Sequence, residues 1–317
     1  MKRFLHGAFV LLAILLMIVI SACGASTPTA APAPTKNAPA PTATEKPMEE
    51  APTAEPTENP EFALPDISLA SFDNPTKIDN KYFPMTPGTN SVFEGITEEG
   101  GRQVPHSIVF TVTDLTKEVL GIRTVVAYIV DYSDGQLVEA EVAFYAQDND
   151  GNVWFMGEHP EVYEDGVMVE SPTWIPGFKG AQAGIVMKAE PELNLPSYGQ
   201  GWGPAVNWTD RGRVVGMGEQ TCVPVSCYED VLVTEEFSQS EPDASQVKYY
   251  APGVGNVKVG WRGADATHEE LELTEYGQLD PDALAEIRDA ALALEAHAYE
   301  ISKEVYALTD PAEPMMP

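Results

Sequence analysis

Three Asp-Gly pairs at nearly even spacing constrain the fold of this chain more than any other feature. Asp134-Gly135, Asp150-Gly151 and Asp165-Gly166 lie 16 and 15 residues apart, between runs rich in Val, Ile, Tyr, Phe and Trp. Asp-Gly between β-forming runs indicates a hairpin, because both turn positions tolerate positive φ. The spacing therefore predicts an antiparallel up-and-down meander between residues 119 and 170.

Other β-rich runs lie on both sides of this meander. One alternates apolar and polar residues at 108–113, and five follow at 213–216, 228–234, 246–250, 256–261 and 269–273. Eight to ten antiparallel strands predict a mainly β fold that forms a curved sheet or barrel, with a two-sheet sandwich as the alternative. We expect this β domain to occupy residues 62–277.

The C-terminal region has the most regular pattern in the chain. Asp280-Pro281 is typical of a helix start, with an N-cap followed by proline. Apolar residues then recur at spacings of three and four, at Leu284, Ile287, Ala291, Leu294, Ala298, Ile301, Val305 and Leu308. This predicts one long amphipathic helix within 278–310. It either docks on its own β domain or pairs through 280–308 with a second copy or a protein partner.

The N-terminus has the layout of a secretory signal peptide over residues 1–22. Lys2 and Arg3 precede an apolar run, and the segment Ile20-Ser21-Ala22-Cys23-Gly24 resembles the lipobox of bacterial lipoproteins. That resemblance implies cleavage before Cys23, acylation of Cys23 by diacylglycerol and a fatty acid such as palmitate, and anchoring to a bacterial membrane outside the cytoplasm. An uncleaved anchor and an ordinary signal peptide with an incidental cysteine are the alternatives.

Residues 23–61 are predicted to form a disordered tether. Between Gly24 and Pro60, 25 of the 37 residues are proline, alanine or threonine. Such a segment has too little apolar surface to offset the entropy of ordering its backbone. We therefore expect it to hold the folded part away from the membrane.

The charge of the chain excludes one class of partner. It has 49 acidic against 18 basic residues, a formal charge of -31. A protein this acidic is repelled by a phosphate backbone, so nucleic-acid binding is excluded as its main function.

Two cysteines remain once Cys23 is assigned to lipid. Cys222 and Cys227 enclose four residues, and in an exported protein such a pair predicts a disulfide across a tight turn. Free thiols are the alternative. The spacing matches neither a redox nor a zinc motif, and no metal or other cofactor is predicted.

No motif supports an enzyme class. The chain contains neither the H-E-x-x-H spacing of a metalloprotease nor the G-x-S-x-G turn of a serine hydrolase. Glu139 and Glu141 would share one face of a strand, and with Glu158 they form the basis of a rival hypothesis, a secreted hydrolase that uses clustered carboxylates.

The segment from Ser171 to Gly212 is rich in glycine, proline and tryptophan, and it shows no clear periodicity. A connection this long usually has a task or packs as a plug. Its aromatic residues are candidates for a groove that binds an apolar molecule or a glycan. They are Trp174, Phe178, Tyr198, Trp202 and Trp208. The alternative is that they are core residues covering one end of the β domain.

Four further stretches resemble a group of bacterial secreted proteins and lipoproteins without an established activity. They are Tyr82–Thr89, Phe144–Trp154, Gly180–Ile185 and Tyr250–Gly255. Members of that group often carry Asp-Trp where this chain has Ala143-Phe144, which implies that a site using that acid is absent here. The leading hypothesis is a lipid-anchored protein of the cell envelope that binds a ligand or an envelope partner.

Overall fold

A computed structural model describes residues 63–315, which form a nearly closed antiparallel barrel with one helix near the C-terminus. The mainly β fold class is confirmed. The predicted signal peptide at 1–22, the tether at 23–61 and the lipidation site Cys23 lie outside the described residues.

Fifteen strands within residues 63–315 belong to one sheet, in which every pair of neighbours is antiparallel. Most neighbours are also consecutive in the chain, as expected of a meander. The strands are β1 (Thr89–Glu99), β2 (Arg102–Val119), β3 (Ile122–Ser133), β4 (Gln136–Gln147), β5 (Val153–Glu164), β6 (Val167–Glu170), β7 (Gln182–Met187), β8 (Tyr198–Gly199), β9 (Gly201–Trp202), β10 (Asp210–Cys222), β11 (Cys227–Ser238), β12 (Ala244–Ala251), β13 (Gly255–Gly263), β14 (Glu270–Gln278) and β15 (Glu313–Pro314).

The Asp-Gly pairs lie at the expected hairpins. Asp134 and Gly135 both have positive φ between β3 and β4, and Asp165 and Gly166 do so between β5 and β6. The loop from β4 to β5 is longer, and it is organised by Asp148, whose carboxylate accepts hydrogen bonds from Asn152 and from the indole of Trp154.

The barrel closes through the segment 198–202. Its first half, β8, pairs with β10, and its second half, β9, pairs with β7, so one short stretch lies between the two ends of the sheet. The region 171–212 therefore differs from the long irregular connection expected from its sequence. It supplies one strand of the wall, β7, and the segment that closes the barrel.

The C-terminal helix α1 (Pro281–Ile301) packs on the outside of the barrel. It begins where predicted, with the Asp280 carboxylate accepting from the backbone of Asp282 and Ala283. Its apolar face covers the outer surface of β2 to β5, in a cluster that includes Ala291, Leu294 and Ala298. In the structure, α1 is thus docked on its own β domain. Association with a second copy or a protein partner through 280–308 stays a prediction.

The helix ends earlier than the heptad pattern predicts. Ser302 is its C-cap, and a turn of 3-10 helix follows at Tyr306–Leu308, with Val305 as its N-cap. Tyr306 in that turn is almost fully buried and donates a hydrogen bond to Glu295 on the helix. β15 then pairs with β2.

The predicted disulfide is present. Cys222 and Cys227 are paired in register at the tip of the hairpin between β10 and β11, with an S–S distance of 2.03 Å.

Candidate functional site

The interior of the barrel contains a cavity of about 180 Å³. Side chains from most of the long strands line it, and the segment before β1 closes one end, where Phe83 and Met85 lie beside the turn between β12 and β13. Phe83 contacts the rings of Tyr145 and Tyr250, with centroid distances of 5.5 and 6.3 Å. We refer to this space as the inner cavity.

A wider space of about 550 Å³ lies at the opposite end of the barrel, which we call the mouth. The hairpins after β1, β3 and β5 surround it, together with the loop before β14. Asp131, Glu139 and Glu269 belong to the walls of both spaces, so a layer of carboxylates separates the mouth from the inner cavity.

The predicted carboxylate cluster is present inside the barrel. Glu139 lies directly opposite Asp131 on β3 and Val162 on β5, and Glu141, two residues on, faces the same side. Glu158 lies opposite Ala143 and joins them. His159 points to the other side of β5, where it bonds Thr173, so Glu158 and His159 do not form an acid–base pair.

Burial keeps this cluster from ionising fully. It raises the pKa of Glu141 well above its ordinary range, and the neighbouring carboxylates of Glu158 and Glu139 add to the effect. Burial also raises the pKa of Glu158 to about 8, although the hydrogen bond from Trp174 favours its charged form. Near neutral pH the pair Glu141 and Glu158 therefore retains at least one proton.

Two further hydrogen-bonded networks of ionisable side chains occupy the interior. Glu269 accepts from His106 Nε2 at 2.8 Å and from Gln246 Nε2 at 2.7 Å. Glu236 accepts from Lys248 at 2.5 Å and from the hydroxyl of Tyr250 at 3.0 Å. Burial opposes the ionisation of Glu236 and Lys248, but each holds the other charged, which lowers the pKa of Glu236 and raises that of Lys248.

Aromatic rings form the wall between these carboxylates. Tyr145 stacks on Phe155 with ring centroids 5.1 Å apart, and Phe155 meets the rings of Trp174 and Trp208 edge-on. The two indoles stack on each other at 4.6 Å. Trp208 is 3% exposed and lines the inner cavity, and its Nε1 has no hydrogen-bond partner among the described residues.

The five aromatic residues expected to line a groove separate into different surroundings. Trp208 lines the inner cavity, and Trp174 lies behind it in the core. Phe178 packs on the outer cluster beneath the helix, Trp202 is half-buried in the closing segment, and Tyr198 lies against the backbone of Gly212. The structure thus brings together Trp174 and Trp208.

Most polar residues of the inner cavity were not identified from the sequence. Gln246, Lys248 and Tyr250 alternate along β12, and all three face the cavity. Glu236 lies on β11, and Glu269 directly precedes β14. Their alternation with Val247 and Tyr249 is a detectable signal. A polar face on a strand normally indicates solvent, however, and only barrel closure turns this face inward.

A separate polar network lies between the barrel and α1. Glu161 accepts from Tyr163 at 2.6 Å and from Nδ1 of His297 on the helix at 2.6 Å. Burial opposes its ionisation, but these bonds and that of His159 lower its pKa to about 2. This network connects α1 to β5 through the hydrogen bond between His297 and Glu161.

Across residues 63–315 no three His, Cys, Asp or Glu side chains are arranged to hold a metal ion. In the same part of the chain, no helix has both the length and the apolar character needed to cross a bilayer.

Comparison with known proteins yields two structural similarities. One is to a protein of Bacteroides fragilis named for export and a YmcC-like fold, at a TM-score of 0.34 and 14% identity, covering 63% of this chain and 100% of that chain. The other is to a protein of Parabacteroides distasonis named as a lipoprotein, at 0.34 and 14%, covering 62% and 99%. At these values neither similarity assigns a family, a location or an activity to this chain.

No protein-family model matches the sequence. No curated protein matches it either.

Proposed function

We propose that this chain is a lipid-anchored extracytoplasmic protein whose barrel binds a small ligand in the inner cavity. The observation that carries the proposal is the buried indole N–H of Trp208, which lines the cavity without a hydrogen-bond partner among the described residues. Protein interiors are close-packed, and buried polar groups are normally hydrogen-bonded. A ligand with an acceptor atom would fill the space and satisfy this donor.

The size of the cavity limits the ligand. Sites for drug-sized molecules are typically about 300 to 1,000 Å³. An inner cavity of about 180 Å³ fits a molecule of a few heavy atoms, so it favours a small compound over an oligosaccharide chain.

The sequence supports a location outside the cytoplasm. The lipobox-like segment that contains Cys23 provides an acylation site, and the Pro-, Ala- and Thr-rich sequence at 23–61 is typical of a tether between a lipid anchor and a folded domain. The disulfide between Cys222 and Cys227 suits an oxidising compartment. Cells fed a fatty-acid analogue should label the chain but not a Cys23→Ser variant; labelling of that variant would contradict the proposal.

Ligand binding is tested most directly through the indole N–H signals in a ¹⁵N NMR spectrum. The signal of Trp208 is assigned by its loss in Trp208→Phe, and that of Trp261, which lies outside the cavity wall, serves as the control. We expect some members of a library of small fragments to shift Trp208 and leave Trp261 in place. The proposal fails if no fragment shifts Trp208 in the folded protein.

The hydrolase hypothesis is retained as the second candidate because Glu158 has a pKa of about 8 beside the carboxyl of Glu141. A carboxyl that keeps its proton near neutral pH is one of the two requirements for acid–base catalysis of glycoside cleavage, the other being an ionised carboxyl nearby. Turnover of chromogenic glycosides that is lost in Glu158→Gln would favour this candidate. Absence of turnover in a preparation that binds fragments at Trp208 would favour ligand binding alone.

A further inference from the structure

Resting on the proposed function, we infer that the inner cavity takes an uncharged ligand, a single aromatic ring that carries a hydroxyl group. Three features of the barrel interior support this chemical class. They are the compensation of its charges, the aromatic walls and size of the cavity, and two buried polar atoms without a partner among the described residues.

The ionisable groups around the inner cavity are compensated within the protein. Lys248 and Glu236 form an ion pair, and Glu269 accepts from His106 and from Gln246. Three other acidic residues of the wall also have interaction partners inside the protein; they are Asp131, Glu139 and Asp210. These groups therefore do not need a charged ligand to balance them.

Glu141, the remaining acidic residue of the wall, is kept protonated near neutral pH. Burial raises its pKa well above the ordinary range, and the carboxylates of Glu158 and Glu139 raise it further. A ligand with a net charge would thus add a buried charge to an interior whose own charges are already paired, and an unpaired buried charge is costly. The interior favours a ligand without net charge.

The walls of the inner cavity are rich in aromatic rings. Six rings line it, those of Phe83, Phe110, Tyr145, Phe155, Trp208 and Tyr250. Phe155 lies between Trp208 and Tyr145, with ring centroids 5.5 and 5.1 Å away. Phe83 continues this row 5.5 Å beyond Tyr145. Aromatic rings prefer stacked or edge-on aromatic partners, so a flat ring is the body that makes most use of this wall.

The size of the cavity fits one ring with a small substituent. An engineered apolar cavity of about 150 Å³ binds benzene. The inner cavity is somewhat larger, at about 180 Å³. The difference leaves room for a short polar group on the ring.

Two buried polar atoms indicate that this polar group is a hydroxyl. Nε1 of Trp208 is a donor and Oδ1 of Asn256 is an acceptor; both residues line the inner cavity, and neither atom has a hydrogen-bond partner among the described residues. A buried polar atom without a partner is costly, and a hydroxyl group can accept from an indole N–H or donate to an amide oxygen. Benzyl alcohol, which joins one ring to a hydroxyl, is therefore the probe we choose.

The test compares benzyl alcohol with four analogues of similar size by isothermal titration calorimetry on the full-length chain. Ethylbenzene lacks the hydroxyl group, benzylammonium and benzoate carry a charge, and cyclohexylmethanol keeps the hydroxyl group on a thicker, saturated ring. Because the comparison uses the unaltered protein, it does not depend on the folding of any variant.

We expect benzyl alcohol to bind at least as tightly as ethylbenzene, although ethylbenzene leaves water about 10 to 100 times more readily. A site that forms no hydrogen bond with the hydroxyl group would follow that difference and prefer ethylbenzene. The two charged analogues should bind at least about tenfold more weakly than benzyl alcohol, because their charge would be buried without a partner. Cyclohexylmethanol should also bind more weakly, because its ring cannot stack on the aromatic wall.

Each outcome decides the inference. If ethylbenzene binds more tightly than benzyl alcohol, if a charged analogue comes within tenfold of it, or if cyclohexylmethanol equals it, the inference is wrong and the proposed function survives. The same holds if none of the five binds while other fragments shift the Trp208 signal. If none binds and no fragment shifts that signal, both are wrong. The expected order of affinities supports both.

Variants locate the binding within the barrel. Trp208→Phe removes the indole N–H and keeps an aromatic ring in the wall, so it should weaken benzyl alcohol about tenfold and leave ethylbenzene within about threefold. Trp261→Phe makes the same change outside the wall of the inner cavity and is the matched control, which should alter neither affinity. Equal effects of the two substitutions on benzyl alcohol, or an equal loss of both ligands in Trp208→Phe, would show that Trp208 does not bind the hydroxyl group and would overturn the inference.

Discussion

The indole N–H of Trp174 donates a hydrogen bond of 2.9 Å to Oε1 of Glu158, and the backbones of the same two residues are also paired. This contact joins the segment after β6 to Glu158, the member of the carboxylate cluster on β5. It depends on Gly157, where φ is positive and where a Cβ would lie 2.6 Å from the carbonyl oxygen of Trp174. The close approach fixes a carboxyl group inside the barrel wall, away from solvent.

Glu158→Gln should make the protein less sensitive to rising pH. The folded-state pKa of Glu158, about 8, lies above the ordinary 4.5, so folding favours the protonated carboxyl. Its contribution to stability is complete below about pH 4.5 and is lost as the pH rises towards 8. Glutamine keeps the acceptor for Trp174 and cannot ionise.

The free energy of unfolding in urea, measured from about pH 5 to pH 9, checks this prediction. As the pH rises across that range, the free energy of unfolding of the variant should increase by a few kcal/mol relative to that of the wild type. Glu94→Gln, at an exposed site, is the control and should run parallel to the wild type. A constant difference between wild type and Glu158→Gln at every pH would contradict the prediction.

Gly201→Ala should disrupt the closure of the barrel. Gly201 has a φ of 154°, and an added Cβ would lie 2.7 Å from both Trp174 Cη2 and Trp208 Cζ3. The stacked indoles would have to separate, at a cost of about 2 to 4 kcal/mol in the free energy of unfolding.

Urea unfolding followed by tryptophan fluorescence measures this loss, and the near-ultraviolet circular dichroism of the folded state should change with it. Gly277→Ala in β14 is the matched control, because an added Cβ there meets no atom within 4 Å. Equal stability of the two variants would show that the closing segment can adjust without disturbing the indoles.

The sequence contained enough to identify the meander but not the closure. Asp134-Gly135 and Asp165-Gly166 determine their turns locally, so the hairpins of β3 to β6 were predictable from short-range chemistry. Strand β8 has two residues, Tyr198 and Gly199, and exists only because β10 lies beside it. A segment of two residues is too short to show a periodicity, so its sequence does not indicate that it will pair with a distant strand.

The same limit applies to the site. Glu139 and Glu141 were predictable as neighbours because a strand places alternate residues on one face. Lys248 belongs to the site only because β12 curves round to the same interior, far from β4 in the sheet order. Barrel closure also explains why an acidic chain buries carboxylates, which its overall charge does not indicate.

Replacing both cysteines of the disulfide by serine should cost the protein about 2 kcal/mol or less, since Cys222 and Cys227 are separated by only 5 positions. The pair lies at the tip of an exposed hairpin, outside the walls of both interior spaces. Fragments should therefore shift the Trp208 indole signal of the double variant as they do that of the wild type. A larger loss of stability, or altered binding, would mean that the hairpin tip supports the barrel interior.

Lys117→Met should be among the most destabilising single substitutions in the protein. Lys117 is fully buried between the sheet and α1, where its ammonium donates to Glu295 at 2.8 Å and to the carbonyl of Asp310 at 2.5 Å. Burial lowers the pKa of Lys117, although the pair with Glu295 favours its charged form. Removing one member of a buried ion pair typically costs about 3 to 5 kcal/mol, because the other charge is left without compensation.

The double variant Lys117→Met with Glu295→Met separates this cost from that of lost packing. If the uncompensated charge of Glu295 dominates, the double variant should recover part of the stability, and a double-mutant cycle in urea should give a coupling energy well above the value of about 1 kcal/mol found for exposed pairs. Arg123→Met, which breaks the exposed pair with Glu313, is the control. Additive losses in the double variant would mean that Lys117 stabilises the helix through its packing against Tyr306 and Tyr299, and not through its charge.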